Sequence, residues 1–504
     1  MALAQRFLCL HGHFYQPPRE SPWSGVIEPQ PSAQPFHDWN ERIAAECYTS
    51  NTAARILDEH GNLIATSNNY AHISFDFGPT LLSWLETAAP AAYAAILDAD
   101  RSSRGAIAQA YNHMIMPLAN ARDRATQILW GSRDFRYRFQ RDAEGMWLPE
   151  TAANLDVLDA LAAAGIQFTI LAPRQAHRVR RFGSRQWRDV SGGRIDPRTA
   201  YQVRLPSERT ITVFFYDAAL AQAVAFEGAL RDGEEFARRL LRSFDPRRQQ
   251  PQIVSVATDG ESYGHHHRFG EMALAAAVRY LSAQPHAAEA VLTTYRAYLA
   301  THPPGDEVKI FENSSWSCVH GVERWRSDCG CNAGAPADWH QAWRAPLRAA
   351  LDWLRDQLVP PFGQVAQRLL WDPWSARNDY IDVVLSPRPA VFDTFLARHA
   401  RRPLVPEERM LVWRLLEMQR YAMLMYTSCG WFFNDISGIE ATQVLAYAAR
   451  AVELAGEALQ LHLEPELLHR LQAAPSNLPE FGSGRAVYER LRAAAPPATA
   501  PCPV

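Results

Sequence analysis

The first half of the chain alternates short apolar runs with longer amphipathic stretches. Each run stops at polar or ionisable residues, and Ala-rich or helically spaced residues follow, which is the pattern of βα units. Intervening segments such as Thr80–Asp98 and Glu234–Phe244 have the apolar spacing of helices. The apolar runs are Phe7–Leu10, Ile73–Phe77, Met146–Leu148, Phe168–Leu171, Thr212–Tyr216 and Ile253–Ala257.

The number of these runs favours a closed barrel over an open sheet. With Leu63–Thr66 as a possible further strand, the pattern predicts about seven parallel strands. A parallel barrel related to the TIM type fits this count, and its chemistry lies at the C-terminal ends of the strands. The polar residues of this sequence fall at those ends, so we expect the functional site there.

The character of the sequence changes near residue 300. Trp339–Leu358, Pro406–Tyr426 and Glu440–His462 carry Leu, Ala and Met at three- and four-residue spacing, which predicts long helices. The predicted fold is therefore α/β, a (β/α)7 TIM-like barrel followed by a helical C-terminal region. The expected bounds are 1–300 for the catalytic barrel, 301–490 for the helical region that contributes to the active-site cleft, and 491–504 for a disordered Ala- and Pro-rich tail.

Composition and charge narrow the class of partner. Of the 504 residues, 47% are hydrophobic and 21% charged, and the net charge is −3 without a long basic or acidic run. Nucleic acid is therefore not expected as a partner, and a neutral substrate fits better. The 15 Trp and 17 Tyr offer rings that stack on sugars, although most of them are expected in the core.

The cellular compartment is predicted from the ends and the cysteines. No segment has 18 consecutive uncharged apolar residues, and Met1–Leu10 lacks a small-residue cleavage site. Seven cysteines are few and odd in number for this length, which argues against a disulfide framework. We expect a soluble cytoplasmic protein without a membrane partner, and these features leave the oligomeric state open.

Two carboxylates at strand ends are the first candidates for catalysis. Glu150 directly follows an apolar run and a proline, although a salt-bridged or capping Glu is the structural alternative. Asp259 begins a cluster with Glu261 and His265–His267 that is hard to explain as packing. Such a pair suits glycosidic bond cleavage, because one carboxylate attacks the anomeric carbon while the other protonates the leaving oxygen.

The acid of such a pair needs a raised pKa to be protonated near neutral pH. An apolar wall and the negative charge of Glu261 would raise the pKa of Asp259 in this way. His11 and His13 alternate on one strand end, so both imidazoles can face the same mouth of the barrel. Hydrogen bonds to sugar hydroxyls are one interpretation. Metal binding with Asp259 and His265–His267 is the other, although no spacing matches a zinc signature such as HExxH.

At these residues the sequence resembles glycoside hydrolase family 57. This family contains α-amylases, 4-α-glucanotransferases and glycogen-branching enzymes with a (β/α)7 barrel and a helical C-terminal region. The resemblance implies Glu150 as nucleophile and Asp259 as acid/base, and the predicted site holds no metal and no cofactor. The matching segments are His11–Pro17, Ser74–Pro79, Trp147–Glu150, Asp259–His265 and Thr427–Asp435.

The resemblance also suggests residues that bind the α-glucan. His113 in Tyr111-Asn112-His113 looks like a histidine of the innermost sugar subsite, and Trp431 and Asp435 would complete the site. Two segments, Ser315–Trp325 and Thr427–Glu440, resemble an uncharacterised subgroup rather than the well-known amylases or branching enzymes. The predicted substrate-binding residues are His11, His13, His113, Trp147, Glu261, His265, Trp431 and Asp435.

The predicted function is retaining cleavage of α-glucosidic bonds by double displacement, of the α-amylase or 4-α-glucanotransferase type. Hydrolysis and transfer are not separated by the sequence, nor are α-1,4 and α-1,6 specificity. One alternative is a metal-dependent hydrolase resembling the polysaccharide deacetylases, which also use a seven-stranded barrel with Asp and His ligands. Another is a carbohydrate-binding protein without catalysis, against which the presence of both carboxylates speaks.

Four cysteines lie in Gly- and Trp-rich segments, namely Cys318, Cys329, Cys331 and Cys429. Four thiolates would make a structural zinc site if Cys429 folded back onto the other three. The paired CxxC spacing of such sites is absent, so buried neutral thiols beside the substrate cleft are the favoured interpretation.

Overall fold

The computed structural model describes residues 5–283, 285–286 and 289–497. The chain divides into two compact units, each made of several segments. Unit 1 comprises Met1–Gln16, Pro29–Tyr111 and Phe135–Ser317, and unit 2 comprises Pro17–Glu28, Asn112–Asp134 and Cys318–Val504.

Unit 2 contains two segments from the first half of the chain, whereas the sequence predicted one division at residue 300. Specific contacts hold both segments there. The Trp23 indole donates to the Glu453 carboxylate at 2.6 Å, and the Trp130 indole donates to the Asn378 carbonyl at 2.9 Å. These two segments belong to unit 2 because their aromatic side chains contact helices that are distant along the chain. Local sequence patterns do not reveal such contacts.

Unit 1 contains all fourteen strands of the described residues. They are β1 (Arg6–Phe14), β2 (Ala54–Leu57), β3 (Leu63–Ser67), β4 (Ser74–Phe77), β5 (Ala108–Gln109), β6 (Met146–Trp147), β7 (Phe168–Leu171), β8 (Ala176–Arg181), β9 (Arg188–Asp189), β10 (Ala200–Arg204), β11 (Thr210–Phe215), β12 (Gln252–Asp259), β13 (Val291–Leu292) and β14 (Asp306–Ile310).

Seven of these strands form a continuous series of parallel neighbours. The order is β12, β1, β4, β5, β6, β7 and β11, with single bridges from Phe75 to Ala106 and from Gly145 to Phe168 linking the shorter strands. The Asp217 N–H, just past β11, donates to the Ser255 carbonyl of β12 at 2.7 Å. The segment that follows the last strand is therefore hydrogen-bonded to the first strand of the series.

Six predicted strands belong to this series, but the seventh is not the one expected. Leu63–Thr66 lies in β3, which pairs antiparallel with β2 and has mostly exposed side chains. The remaining member of the series is β5, which has only two residues. So short a strand leaves no apolar run in the sequence, and the hydrophobic pattern therefore does not predict β5.

A mixed extension of the sheet, which the sequence did not predict, continues from β11, with β10 and β14 parallel and its other pairs antiparallel. β10 pairs antiparallel with β11, and the sheet then continues through β14, β8 and β9. The same β11 thus borders both the parallel series and this extension.

Helices alternate with the strands along unit 1 and dominate unit 2, so the protein is a mixed α/β chain with a helical C-terminal region. The helices of the described residues are α1 (Trp39–Ile43), α2 (Thr49–Thr52), α3 (Pro79–Ala88), α4 (Pro90–Ser103), α5 (Ala121–Phe139), α6 (Leu155–Ala163), α7 (Ala218–Phe226), α8 (Gly233–Arg242), α9 (Gly270–Ser282), α10 (Tyr295–Thr301), α11 (Arg344–Ala366), α12 (Pro373–Asp379), α13 (Ile381–Leu385), α14 (Pro389–His399), α15 (Pro406–Leu424), α16 (Cys429–Phe432), α17 (Ile439–Leu459), α18 (Glu464–Leu471) and α19 (Gly484–Ala494).

The three long helices predicted beyond residue 300 correspond to α11, α15 and α17. Their ends differ from the predicted ends by at most about two turns. The predicted tail began at residue 491, yet α19 continues to Ala494. Residues 498–504 of that tail lie outside the described residues. None of the described helices has the length and apolarity needed to cross a membrane.

Candidate active site

The C-terminal ends of three neighbouring strands bring His11, His13, Asp76 and Asp259 together. In the parallel ladders, His13 of β1 lies opposite Asp259 of β12 on one side and Asp76 of β4 on the other. Asp76 is fully buried and bonds both imidazoles. Its Oδ1 lies 3.0 Å from His11 Nε2, and its Oδ2 lies 2.8 Å from His13 Nδ1.

Asp76 controls the charge of this histidine pair. Burial disfavours the charged form of His13, but the adjacent Asp76 carboxylate outweighs burial and raises the pKa of His13 to about 9. At His11 burial dominates and lowers the pKa. At neutral pH a protonated His13 therefore lies between the carboxyl groups of Asp76 and Asp259.

Trp147, at the end of β6, packs against both histidines. Its ring is stacked on His11 with centroids 5.1 Å apart and on His13 with centroids 4.8 Å apart. The indole is fully buried. It therefore fixes the planes of the two imidazoles, and its predicted contact with substrate stays a prediction.

Glu150 lies in a short turn, Pro149–Thr151, directly after β6. Its backbone is left-handed, with φ 58°, and that of Thr151 has φ 50°. Such conformations cost a non-glycine residue about 1–3 kcal/mol and persist where the surroundings fix them. Gln175 supplies that support, because it accepts the Thr151 hydroxyl and donates to the Thr151 carbonyl, both at 2.8 Å.

Two donors from the segment after β14 orient the Glu150 carboxylate. The Trp316 indole donates to Oε2 at 3.0 Å, and the Ser317 hydroxyl donates to the same oxygen. Charge-assisted hydrogen bonds of this kind stabilise the carboxylate anion. The Trp316 ring also meets His13 and Trp147 edge to face, at 6.2 and 5.0 Å between centroids. Trp316 thus joins Glu150 to the strand-end cluster.

Asp259, the last residue of β12, has the properties of an acid that solvent can reach. Its side chain is accessible, and among the described residues it has no hydrogen-bond or ion-pair partner. Protein atoms nevertheless surround the carboxyl group, so burial raises its pKa, and the charge of Asp76 adds to this effect while His13 opposes it. The like charge that assists burial is that of Asp76, rather than that of Glu261 as predicted.

Glu261 lies buried behind Asp259. It accepts the Tyr15 backbone N–H at 3.1 Å and the Tyr48 hydroxyl, and burial together with the Asp259 charge raises its pKa to about 7. His265 makes different contacts, with the Glu46 carboxylate and the edge of the Trp39 ring.

A family model described as glycosyl hydrolase family 57 matches residues 43–310, which is more than half of the chain. The chain belongs to glycosyl hydrolase family 57. A second model, described as a domain of unknown function (DUF3536), matches residues 339–497. A search of curated protein sequences gave no match.

Solved structures of other enzymes share the fold of this family 57 chain. The exo-type maltose-forming amylase from Pyrococcus sp. ST04 is 16% identical, with 93% of this chain and 82% of that chain covered and a TM-score of 0.69. The family 57 branching enzyme from Thermococcus kodakaraensis is 13% identical, with 98% and 95% covered and a TM-score of 0.56. The 4-α-glucanotransferase from Thermococcus litoralis is 15% identical, with 90% of this chain and 60% of that chain covered and a TM-score of 0.53.

Similarity at these identities shows the fold alone, and the particular reaction has to be argued from the site. Family membership makes the protein an enzyme, a glycoside hydrolase or glucanotransferase.

Three predicted substrate-binding residues of this family 57 enzyme lie in unit 2. His113 has a left-handed backbone, with φ 52°, and its Nδ1 lies 2.6 Å from the Ser428 hydroxyl. The Trp431 ring is fully buried, its indole donates to the Arg344 carbonyl at 3.3 Å, and the Arg348 guanidinium lies 4.2 Å from its centroid. Within unit 2, His113 therefore contacts the predicted fifth family segment, and Trp431 packs in the core.

Asp435 organises a loop of unit 2. Its Oδ1 accepts the Ser437 N–H at 2.9 Å and the Ser476 hydroxyl at 2.8 Å, and its Oδ2 accepts the Asn477 N–H at 2.6 Å. Burial tends to raise the pKa of Asp435, but these donors lower it below its usual range. A role in substrate binding stays a prediction for Trp431 and Asp435.

Three residues of the site were missing from the predicted set, namely Asp76, Trp316 and Ser317. A signal for Asp76 was present, because a charged residue stands between two phenylalanines in β4. Trp316 and Ser317 lie in the segment Ser315–Trp325, which the sequence marked as unusual without giving it a role. Their contact with Glu150 spans 166 and 167 residues along the chain.

The structure also changes the interpretation of the cysteines. Cys318 is buried, but Cys329, Cys331 and Cys429 are partly exposed, so the prediction of buried thiols is correct for Cys318 alone. The side chains of Cys318, Cys329 and Cys331 lie together. The fourth ligand-type side chain beside them is His320, rather than Cys429.

Proposed function

We propose that this enzyme cleaves α-glucosidic bonds with retention of configuration, with Glu150 as nucleophile and Asp259 as general acid and base. The seven parallel strands would form the (β/α)7 barrel, and both carboxylates stand at the C-terminal ends of its strands. One observation carries the proposal. Trp316 donates to Glu150 and contacts His13, and His13 is the ladder partner of Asp259.

In the first step the Glu150 carboxylate attacks the anomeric carbon as the bond to the leaving oxygen breaks. Asp259 transfers its proton to that oxygen, for which its raised pKa prepares it. As the proton leaves, a negative charge develops on Asp259 beside the protonated His13. The electrostatic attraction between these groups stabilises the charge that the step creates.

In the second step water or a glucan hydroxyl attacks the glycosyl–Glu150 ester. Asp259, now a carboxylate, accepts the proton of the attacking hydroxyl, and Glu150 leaves as a carboxylate. Two inversions at one carbon give net retention. The donors Trp316 and Ser317 hold the Glu150 carboxylate in the same orientation at the start and at the end of this cycle.

The predicted substrate-binding residues enter the proposal in two ways. His11 shares Asp76 with His13, Trp147 stacks on His13, and Glu261 lies beside Asp259, so we assign these three residues the positioning of His13 and Asp259. His13 and His113 keep their predicted role of holding sugar hydroxyls. His265, Trp431 and Asp435 stay predicted substrate-binding residues, Trp431 as one that shapes the cleft.

The test is product analysis after incubation of the full chain with maltooligosaccharides. Longer chains would show transfer, new branch points would show branching, and shorter sugars alone would show hydrolysis. Retention predicts that the α anomer of a hydrolysis product forms first, observed by proton NMR before mutarotation. First formation of the β anomer would refute the double displacement. Release of acetate from acetylated oligosaccharides, without cleavage of any α-glucan, would favour the deacetylase alternative.

A further inference from the structure

Four side chains of unit 2 converge at one point outside the candidate active site. They are Cys318, His320, Cys329 and Cys331, and one ligand atom from each lies within 4.8 Å of all the others. Each residue type is a common zinc ligand. The ligands form two short pairs, Cys-x-His and Cys-x-Cys, which is why a search for CxxC spacing does not find them.

The distances within this cluster match one tetrahedral metal ion. Cys318 Sγ lies 3.9 Å from Cys329 Sγ and 3.8 Å from Cys331 Sγ, and Cys331 Sγ lies 3.7 Å from His320 Nδ1. Zinc binds thiolates at about 2.3 Å and imidazoles at about 2.0–2.1 Å, so tetrahedral geometry places S and S about 3.8 Å apart and S and N about 3.6 Å apart. We propose that Cys318, His320, Cys329 and Cys331 form a structural zinc site.

Two other chemistries of cysteine fit the distances less well. A disulfide requires sulfurs about 2.05 Å apart, roughly half of the separations seen here. An iron–sulfur cluster requires room between the thiolates for several metal and sulfide ions, whereas these sulfurs are close enough to share one ion.

The surroundings supply the charge that such a site needs. Three thiolates and a neutral imidazole around Zn²⁺ carry a net charge of −1. Arg344 is fully buried beside them, and its guanidinium donates to the Cys331 carbonyl at 2.8 Å. Its other bonds also go to backbone carbonyls, those of Phe432 and Phe433. The cationic side chain therefore balances the excess negative charge of the cluster.

The local structure explains what the metal would do. Residues 326–340 contain neither helix nor strand, and most of these residues are exposed while none is buried. Hydrophobic burial therefore contributes little to holding this segment, and a metal cross-link supplies the missing stabilisation. With four protein ligands the site is closed, which is the arrangement of structural rather than catalytic zinc.

The experiment is metal analysis of the untagged full chain by inductively coupled plasma mass spectrometry. We expect one zinc per chain. Cobalt exchanged into the site should give the visible absorption of tetrahedral, thiolate-bound Co²⁺, and this readout needs no variant. Cys331→Ser should lose the metal, and so should His320→Ala, which changes an exposed side chain. His320→Cys should restore metal binding.

Cys429→Ser is the matched control, because it removes a cysteine of the same unit that is outside the cluster. It should keep the full zinc content. The proposal is overturned if the reduced wild-type chain binds neither zinc nor cobalt after reconstitution. It is equally overturned if Cys429→Ser loses zinc while His320→Ala keeps it, or if thiol counting finds a disulfide among the three clustered cysteines in the native chain.

Discussion

Asp76→Asn tests the electrostatics of the strand-end cluster. The Asp76 carboxylate holds two imidazoles. Burial lowers the pKa of His13, but Asp76, with smaller contributions from Asp259 and Glu261, raises it from 6.5 to about 9. One pKa unit corresponds to about 1.4 kcal/mol, so this shift corresponds to about 3 kcal/mol of folding stability. That value agrees with the cost of about 3–5 kcal/mol for removing one partner of a buried pair.

The sign of the pH dependence follows from the raised pKa. His13 binds its proton more tightly in the folded chain than in the unfolded chain, so the stabilisation is complete below pH 6.5 and is lost as the pH rises through about 9. The difference in unfolding free energy between wild type and Asp76→Asn should therefore be largest near pH 6. It should shrink by about 3 kcal/mol towards pH 10.

The assay is urea unfolding of both proteins at pH 6 and pH 10, followed by tryptophan fluorescence. Asp142→Asn is the matched control, because its ion pair with Arg136 lies at the surface of unit 1, where both side chains are mostly exposed. Exposed pairs contribute about 0–1 kcal/mol, so this variant should resemble wild type at both pH values. An Asp76→Asn effect of equal size at pH 6 and pH 10 would refute the assigned protonation of His13.

Three further variants test the proposed reaction. Glu150→Gln should abolish cleavage of maltooligosaccharides, because an amide cannot form the glycosyl ester, while circular dichroism and the urea midpoint stay unchanged. Asp259→Asn should slow glucan cleavage far more than cleavage of an aryl α-maltoside, whose leaving group needs no protonation. Trp316→Phe removes a hydrogen bond to a charged group, worth about 1.5–3 kcal/mol, and should lower kcat/KM roughly 10- to 150-fold.

Two surface variants with the same kinds of substitution, Glu to Gln and Trp to Phe, serve as controls. Glu234→Gln breaks an exposed pair with Arg238 on α8, and Trp187→Phe changes an indole that packs against Arg180 and Lys309. Both should leave the turnover of maltooligosaccharides unchanged. Full activity of Glu150→Gln, equal slowing of both substrates by Asp259→Asn, or an unimpaired Trp316→Phe would each contradict the role given to that residue.

Much of the series of parallel strands was predictable, because the pattern that specifies each strand lies in consecutive residues of the sequence. An apolar run that ends at a polar residue specifies a buried strand and the place where its functional side chain emerges, as for β12 and Asp259. The same pattern marked His11, His13 and Glu150. It failed for β5, whose two residues are strand only because β4 and β6 border them.

The sequence by itself determined which residue types are present. It also determined at which strand ends they stand, because a strand and its end are specified by neighbours along the chain. Only the tertiary structure decided their chemical state. Asp76, on another strand, stabilises the protonated form of His13, and Trp316 orients Glu150 from 166 residues away. His320, rather than Cys429, joins the three cysteines. Charge interactions and hydrogen bonds act over a few ångströms in space whatever the separation in sequence, so only the folded chain shows them.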